Sequence, residues 1–304
     1  MKYKNLNENS PQAEQPKKIK IKMKHHQLAS LYYANKLETE NYFYVDDRKI
    51  ETYIGVIADK VGSGKSLIVL SIIANQKILK KTLCSYRSDG YINTIKKNED
   101  TESIDTNVIV VPHGLIKQWQ KYIEQQTSLS FITVNNKKTF EPVKKNLNKL
   151  NDYDITLVSS TKYNDFASLF IRYLQYTHIY ETIKVSRLFI DETDSIKIPS
   201  CKKLYASFYW FITSSYRRLL KPDGEVKYEN SEGQLSHYYN YSLGYFKRVV
   251  VNGINSRGFI REVLCKFSII APNVSSQLII KNSDKFIESS FKIEQPNIIK
   301  IICK

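Results

Sequence analysis

A glycine-rich loop, A-D-K-V-G-S-G-K-S at residues 58–66, has the residue types that bind a phosphate chain. Gly62 and Gly64 would let the main chain close round an anion, and unpaired N–H groups at the start of the next helix would point at it. Lys65 would reach the β- and γ-phosphates, and Ser66 would ligate Mg²⁺. The alternative is a turn of glycine, serine and lysine that opens an ordinary helix.

Two carboxylates form the second candidate group. Asp191 and Glu192 follow the apolar run at residues 187–190, so a buried strand would deliver them to its carboxyl end. An acidic residue there can hold Mg²⁺ opposite Ser66, and its neighbour can polarise water for attack on a γ-phosphate. An isolated D-E-x-D is more often a solvated turn or an acidic helix start. Its position after an apolar strand, downstream of a Gly-Lys-Ser loop, favours a nucleotide hydrolase site.

The elements that would position these residues alternate between strand and helix. Short apolar runs predict strands at residues 53–58, 107–111, 131–134, 154–158, 187–190 and 208–212. Helical patterns lie at residues 28–37, 65–74, 115–126 and 162–180. This alternation predicts an α/β fold whose mostly parallel sheet is covered by helices on both faces. Ligands of such sheets bind beyond the carboxyl ends of the strands, where the glycine-rich loop and the acidic pair both fall.

Composition favours a globular protein with a polyanionic partner. The chain has 304 residues, of which 42% are hydrophobic, enough for a substantial core. Its 46 Lys and Arg against 30 Asp and Glu give a net charge of +16, which favours nucleic acid as a partner. Composition alone does not separate DNA, RNA and anionic membranes, and general solubility is the alternative interpretation.

Cysteine usage and hydropathy restrict the class of protein further. The 4 cysteines are far apart and form no Cys-x-x-Cys pair, which argues against a zinc site or a disulfide framework. The N-terminus lacks the apolar stretch of a signal peptide, and no run approaches the ~18 apolar residues of a membrane span. We therefore expect a soluble intracellular protein that is not secreted and has no membrane partner.

The chain divides into three parts by composition. Residues 1–22 carry lysines among polar residues and predict a flexible basic arm. Residues 23–216 hold the series of strands and helices, with a polar surface insertion at residues 80–106. Residues 217–304 contain short apolar runs, which we assign to a small α+β carboxy-terminal extension.

These motifs resemble, in order, those of superfamily 2 helicase-like ATPases, most closely the Swi/Snf-type branch and the related helicases of large DNA viruses. D-K-V-G-S-G-K-S resembles the branch's D-E-x-G-x-G-K-[ST], which accounts for Asp59 in place of the first glycine of a phosphate loop. K-H-H-Q, ending at Gln27, resembles the motif whose glutamine recognises adenine. I-D-E-T-D-S-I-K at residues 190–197 resembles I-D-E-x-H-x-x-K.

Three further segments resemble the family's nucleic-acid and coupling motifs. V-V-P-H-G-L-I-K-Q-W at residues 110–119 resembles V-x-P-x-x-L-x-x-Q-W, which contacts the nucleic-acid backbone in the family. L-V-S-S-T-K-Y at residues 157–163 resembles a weaker nucleic-acid motif, and W-F-I-T-S-S at residues 210–215 resembles the coupling motif L-T-x-T-P. The resemblance implies nucleic-acid or coupling roles for Pro112, His113, Gly114, Trp119, Ser159, Ser160, Thr213 and Ser215. For His113 and Trp119, the alternatives are a turn and a core position.

The resemblance covers residues 23–216 and implies a RecA-like P-loop NTPase lobe that binds ATP and Mg²⁺. The implied nucleotide-binding residues are Gln27, Gly62, Ser63, Gly64, Lys65 and Ser66. Ser66 and Asp191 would hold the metal ion. Lys65, Asp191 and Glu192 would be the catalytic residues.

The sequence departs from the family pattern at three sites. Lys60 stands where the family has an acidic residue, Asp194 where it has histidine, and Ser215-Tyr216 where it has Thr-Pro. The second departure would alter the coupling of ATP hydrolysis to movement. The third would weaken that coupling further.

A larger departure concerns the second half of the family's catalytic cleft. Family members hydrolyse ATP between two RecA-like lobes, and the second lobe supplies arginine fingers. After Tyr216 we find neither a second strand–helix series of sufficient length nor a Q-x-x-G-R-x-x-R-like motif. We therefore expect the second lobe on another chain or on a downstream segment. Because arginine fingers contribute about 10³ to 10⁵ in rate, we expect the isolated chain to be a feeble ATPase.

The leading hypothesis is the ATP-binding lobe of a nucleic-acid-dependent helicase, translocase or DNA-remodelling ATPase, with duplex DNA favoured over RNA. The alternative is a non-catalytic nucleic-acid-binding or assembly subunit, for example of a viral transcription complex. The insertion and the altered coupling residues favour this alternative mildly. A metabolic P-loop kinase would explain neither the charge nor the P-H-G-L-I-K-Q-W segment. A viral member would act in the host nucleus, in a cytoplasmic factory or in the virion.

Overall fold

A computed structural model describes most of the chain. The described residues are 5–40, 42–45, 48–79, 83–88, 93–98, 102–174, 179–219, 225–229, 235–236, 247–251, 259–260, 263 and 277–291. None of the described helices has the length and apolar character that crossing a membrane requires.

Eight strands form one parallel sheet, which confirms the predicted α/β fold. They are β1 (Asn5–Leu6), β2 (Ile54–Ile57), β3 (Ser103–Val111), β4 (Phe131–Val134), β5 (Ile155–Ser159), β6 (Lys184–Ile190), β7 (Tyr205–Ile212) and β8 (Ile279–Asn282). Their order across the sheet is β1-β8-β2-β7-β6-β3-β5-β4, and every neighbouring pair is parallel. All six predicted strands are present, and β3, β6 and β7 begin earlier than predicted.

Helices cover both faces of this sheet. They are α1 (His25–Glu40), α2 (Lys65–Asn75), α3 (Ile116–Gln126), α4 (Lys137–Lys145), α5 (Tyr163–Ala167), α6 (Tyr216–Leu219) and α7 (Asp284–Phe291). Successive residues of a strand point to opposite faces, so Val108 and Val110 join one core cluster while Ile109 and Val111 join the other. Apolar residues from α1, α2 and α3 pack in the second cluster. Burial on both faces explains why these strands are continuous apolar runs.

Smaller sheets lie outside the central one. Antiparallel hairpins pair Tyr42–Val45 with Arg48–Glu51, Leu83–Ser88 with Asn93–Asn98, and Ile171–Leu174 with Ile179–Thr182. A three-stranded antiparallel sheet contains Glu225–Glu229, Leu235–Ser236 and Lys247–Val251. Short 3-10 helices occupy His113–Leu115, Leu147–Asp152 and Ser168–Phe170.

The helical pattern at residues 162–180 does not produce one long helix. The chain instead forms α5, a 3-10 turn and the first strand of a hairpin that begins at Ile171. The hairpin sequences I-R-Y-L and I-Y-E-T are rich in β-branched and aromatic residues, which suit strands. The prediction of a helix throughout this segment was wrong, because strand pairing overrides the apolar spacing.

The amino-terminal segment differs from the flexible arm that its composition predicts. Leu6 and Ile19 are buried, and Leu6 pairs with Asn282 in the central sheet. Lys18 lies 3.4 Å from the Asp154 carboxylate. The described part of this segment is therefore packed on the fold, because its few apolar side chains find places in the core.

The carboxy-terminal region, which we assigned to a small α+β extension, contributes a strand to the central sheet. Its strand β8 inserts between β1 and β2, with Ile279 opposite Val56 and Ile280 opposite Ile57. Helix α7 follows directly and buries Phe286 in the core. Residues 277–291 are therefore part of the lobe that carries the glycine-rich loop.

Candidate active site

The glycine-rich loop connects β2 to α2 and depends on its glycines. Gly62 and Gly64 have φ angles of 81° and 85°, in the left-handed region that glycine adopts without steric cost. Between them Ser63 is fully buried, and its carbonyl accepts hydrogen bonds from His26 Nε2 at 2.9 Å and Gln27 Nε2 at 3.1 Å. A Cβ atom at Gly64 would lie 2.3 Å from Gln27 Nε2. The first helical segment therefore fixes the shape of the loop.

The start of α2 is suited to an anion. Gly64 precedes the helix without a side-chain cap, so the first N–H groups of α2 have no partner from a capping side chain. Lys65 Nζ donates to the carbonyls of Asp59 at 2.9 Å and Lys60 at 3.1 Å. Burial lowers the pKa of Lys65, while four nearby carboxylates act in the opposite direction. A half-buried ammonium group that donates to two backbone carbonyls fits a polyphosphate.

The acidic pair lies at the carboxyl end of β6. Asp191 Oδ2 accepts a hydrogen bond from Trp119 Nε1 at 2.9 Å, and Oδ1 accepts one from the Glu192 N–H at 3.0 Å. Burial raises the pKa of Asp191 to about 6, against the effect of the Trp119 hydrogen bond. Glu192 has a φ of 49°, a left-handed conformation that strains a residue with a side chain. The strained backbone thus lies at the residue that is predicted to polarise the attacking water.

One cleft of about 410 Å³ joins the glycine-rich loop to the acidic pair. It is lined by eight of the residues predicted from the sequence, namely Gln27, Gly62, Gly64, Lys65, Ser66, Trp119, Asp191 and Glu192. Ser63 is buried behind the loop instead. The arrangement can hold a polyphosphate at the loop and place carboxylates beside it.

The predicted coupling residues link β7 to the acidic cluster. Thr213 Oγ1 donates to Asp194 Oδ1 at 2.6 Å, and the Ser215 N–H donates to Thr213 Oγ1 at 2.8 Å. Arg218 Nη1 lies 3.3 Å from Asp194 Oδ2. The Thr213 N–H donates to the Ile57 carbonyl of β2. Asp194 thus joins the ends of β6 and β7, and the Thr213 N–H extends this connection to β2.

The predicted nucleic-acid residues separate into exposed and buried groups. Pro112, His113 and Gly114 follow β3, and His113 Nδ1 lies 3.0 Å from Ser159 Oγ, with His113 and Gly114 exposed. The Ser160 N–H donates to the Val111 carbonyl, at the same edge of the sheet. Trp119, in contrast, is 2% exposed. This burial favours a core position for Trp119 over direct contact with nucleic acid, and its indole N–H positions Asp191.

Three contacts that support the loop and the sheet are not predicted from the sequence. Asn282 binds the buried Asp59 carboxylate, and Glu288 Oε1 lies 2.6 Å from Lys60 Nζ. The change from an acidic residue to Lys60 could have signalled an acidic partner elsewhere. No local pattern marks Asn282.

The third missed contact is a buried ion pair that supports the sheet. Arg187 is fully buried, and its Nε and Nη2 donate to Glu38 at 2.7 and 2.8 Å. Trp210 Nε1 donates to the same carboxylate at 2.8 Å. The sequence signal for this ion pair is Arg187 itself, because a cation in an apolar strand needs a buried acidic partner.

Comparisons with known proteins identify similar chains. Residues 26–220 match the model of the SNF2-related domain. Putative helicase R592 of Acanthamoeba polyphaga mimivirus is 26% identical, in a match that covers 99% of this chain and 46% of that protein. The SWI2/SNF2 ATPase core domain of Sulfolobus solfataricus matches with a TM-score of 0.47 and 16% identity, over 96% of this chain and 50% of that one.

The chain spans about half the length of both of these relatives. The family match runs from the helix that carries Gln27 to the end of α6, and it includes both the glycine-rich loop and the acidic pair. Because this match covers more than half of the chain, the chain belongs to the family of SNF2-related domains.

Proposed function

We propose that this chain is the ATP-binding lobe of a nucleic-acid-dependent helicase, translocase or DNA-remodelling ATPase. The observation that carries the proposal is the single cleft in which Gln27, Lys65 and the two carboxylates Asp191 and Glu192 come together. The family membership supports ATP as the nucleotide. Hydrolysis would require a second RecA-like lobe that completes the cleft.

The residues present fit ATP and Mg²⁺. The left-handed glycines and the uncapped start of α2 leave room and N–H groups for phosphate oxygens. Lys65 would bind the β- and γ-phosphates, and Ser66 and Asp191 would hold Mg²⁺, which neutralises charge that develops on the phosphates. Glu192 would orient and deprotonate the attacking water. Gln27 would contact the adenine.

The cleft also suggests why the polypeptide alone would be slow. Among the described residues that line it, Lys65 is the only cation. An arginine that stabilises the transferring phosphoryl group contributes about 10³ to 10⁵ in rate in comparable enzymes. We therefore propose that this polypeptide, assayed alone, binds ATP but hydrolyses it feebly.

Nucleic acid is the proposed second ligand, with duplex DNA favoured over RNA. The net charge of +16 supports a polyanionic partner. His113 follows β3 and Ser160 follows β5, so both stand at the carboxyl edge of the sheet, near the end of β6 where Asp191 lies. Contacts to phosphates would make the affinity fall steeply as salt rises.

The test is ATP turnover with and without duplex DNA, for the chain alone and mixed with a polypeptide that carries a second RecA-like lobe. We expect DNA-stimulated turnover in the mixture. Lys65→Ala should abolish ATP binding, whereas Lys138→Ala, which removes a lysine from α4 outside the cleft, should not. Absence of turnover in every combination would exclude the motor function.

The second candidate is a non-catalytic nucleic-acid-binding or assembly subunit. Asp194 favours this second candidate. The resembled family has a histidine at this position, whereas the Asp194 carboxylate binds Thr213 and Arg218. In that case the DNA affinity of the chain would be the same with and without ATP. It would also be the same in the Lys65→Ala variant.

A further inference from the structure

Phe291, the last residue of α7, stands at the mouth of the cleft. Its side chain is 45% exposed and lines the cleft together with Gln27, Gly64 and Lys65. Six large apolar side chains are exposed among the described residues, and three of them line this one cleft, namely Ile21, Val61 and Phe291. Exposed apolar groups that gather round a concave polar site indicate a surface that binds a ligand.

Helix α7 is anchored, so the position of Phe291 is defined by the fold. Phe286 and Ile287 are buried in the core. Glu288 forms the 2.6 Å ion pair with Lys60 of the glycine-rich loop. One turn of helix therefore separates Phe291 from a direct contact with the loop.

The ring of Phe291 lies on the side of the cleft where Gln27 is found. Its centroid is 5.4 Å from the ring centroid of His26, the neighbour of Gln27, and the planes of the two rings meet at 45°. Lys24 Nζ lies 5.7 Å from the Phe291 centroid. The other partly exposed aromatic ring of the cleft belongs to Tyr122, on α3 one turn beyond the Asp191 partner Trp119.

We propose that the base of the bound nucleotide stacks on the partly exposed ring of Phe291. This assignment rests on the proposed ATP binding and adds a residue beyond the matched segment 26–220. An aromatic face attracts every base, and most strongly one with a large ring system such as a purine. Phe291 thus supplies affinity through the face of the base, while Gln27 is left to read its edge.

The test compares two probes, ATP and inorganic tripolyphosphate, by isothermal titration calorimetry. Phe291→Ala should weaken ATP binding by roughly tenfold, the effect expected for loss of one base–aromatic stack. Tripolyphosphate has no base, so its affinity should be unchanged, which also shows that the loop is still folded. Phe291→Trp keeps an aromatic face and should bind ATP as tightly as the original chain.

The matched control is Tyr122→Ala, which removes the other aromatic ring of the same cleft. Equal ATP affinity in Phe291→Ala and the original chain would overturn the proposal. It would also be overturned if Tyr122→Ala alone weakened the binding of ATP while leaving the binding of tripolyphosphate unchanged. If neither ATP nor tripolyphosphate binds the original chain, the proposed function fails as well. Binding of both probes with no effect at Phe291 would leave the proposed function standing and exclude only the stack.

Discussion

Asn282 donates two hydrogen bonds to Asp59, from its backbone N–H to Oδ1 and from its side-chain Nδ2 to Oδ2, both at 2.7 Å. Both residues are fully buried. Burial raises the pKa of Asp59, and the two hydrogen bonds act against this rise by stabilising the carboxylate. The start of the glycine-rich loop is therefore held by a residue of β8.

Asn282→Ala should lower the free energy of unfolding by about 1–3 kcal/mol, because Asp59 Oδ2 loses its buried donor. Urea denaturation measures this change. The control is Ser30→Ala, since Ser30 Oγ accepts the other hydrogen bond from Asn282 Nδ2 at 2.7 Å. An equal loss in both variants would mean that the contact with Asp59 adds nothing.

Exchange of charges should test the contact between α7 and the loop. Lys60→Glu and Glu288→Lys each replace the ion pair by like charges, and ATP affinity should fall by less than about tenfold because exposed pairs contribute little. The double variant restores an opposite pair and should regain the original affinity. The differences should vanish in about 1 M salt, which screens exposed charges. A double variant as weak as the single ones would contradict this role.

Asp191→Asn should change how stability depends on pH in Mg²⁺-free buffer. Burial raises the pKa of Asp191 in the folded chain to about 6, above its ordinary value of 3.8, so ionisation of Asp191 destabilises the fold. The contribution of Asp191 to stability is therefore full below pH 4 and is lost as the pH rises through 6. Relative to the variant, the original chain should lose about 3 kcal/mol of unfolding free energy between pH 4 and pH 7. Parallel pH profiles of the two proteins would contradict the prediction.

Trp119→Phe keeps the aromatic ring in the core but removes the N–H that donates to Asp191. We expect a loss of about 1–3 kcal/mol above pH 6, where Asp191 is ionised and left with one donor fewer. The same substitution in the Asp191→Asn background should cost less. Equal costs in the two backgrounds, measured by urea denaturation, would show that the hydrogen bond does not contribute.

Arg187→Met should destabilise the chain by about 3–5 kcal/mol, because the Glu38 carboxylate stays buried without its cation. A double variant, Arg187→Met with Glu38→Leu, removes both charges and should be more stable than the single one. Thermal or urea unfolding distinguishes the two. A double variant that is less stable than Arg187→Met alone would contradict the charge argument.

Local sequence patterns were sufficient for the centre of the sheet and for most of the cleft. The strand around Val110 is a continuous apolar run, which indicates a strand buried on both faces. The loop contains Gly62 and Gly64, whose left-handed backbone few other residue types adopt. Because strands of a parallel sheet end at one edge, the sequence also predicted that Lys65 and Asp191 would meet.

Contacts between distant segments could not be predicted in this way. Asn282 and Glu288 lie in short segments whose own composition suits many positions, and their partners Asp59 and Lys60 are more than 200 positions away. Leu6 is a single apolar residue among polar ones, yet it is buried by pairing with β8. Pairing with distant segments decides whether such residues are buried, and local propensity does not encode this pairing.

The place of β8 in the sheet has a consequence for the order in which the chain folds. Strand β2 carries the glycine-rich loop, but one of its two edges stays open until residues 279–282 have been synthesised, roughly tens of seconds later at ordinary rates of translation. Until then Asp59 lacks its partner and an apolar strand presents unpaired backbone groups. A nascent chain would therefore complete the proposed nucleotide site late, and nucleotide binding would report that the polypeptide has folded through to α7.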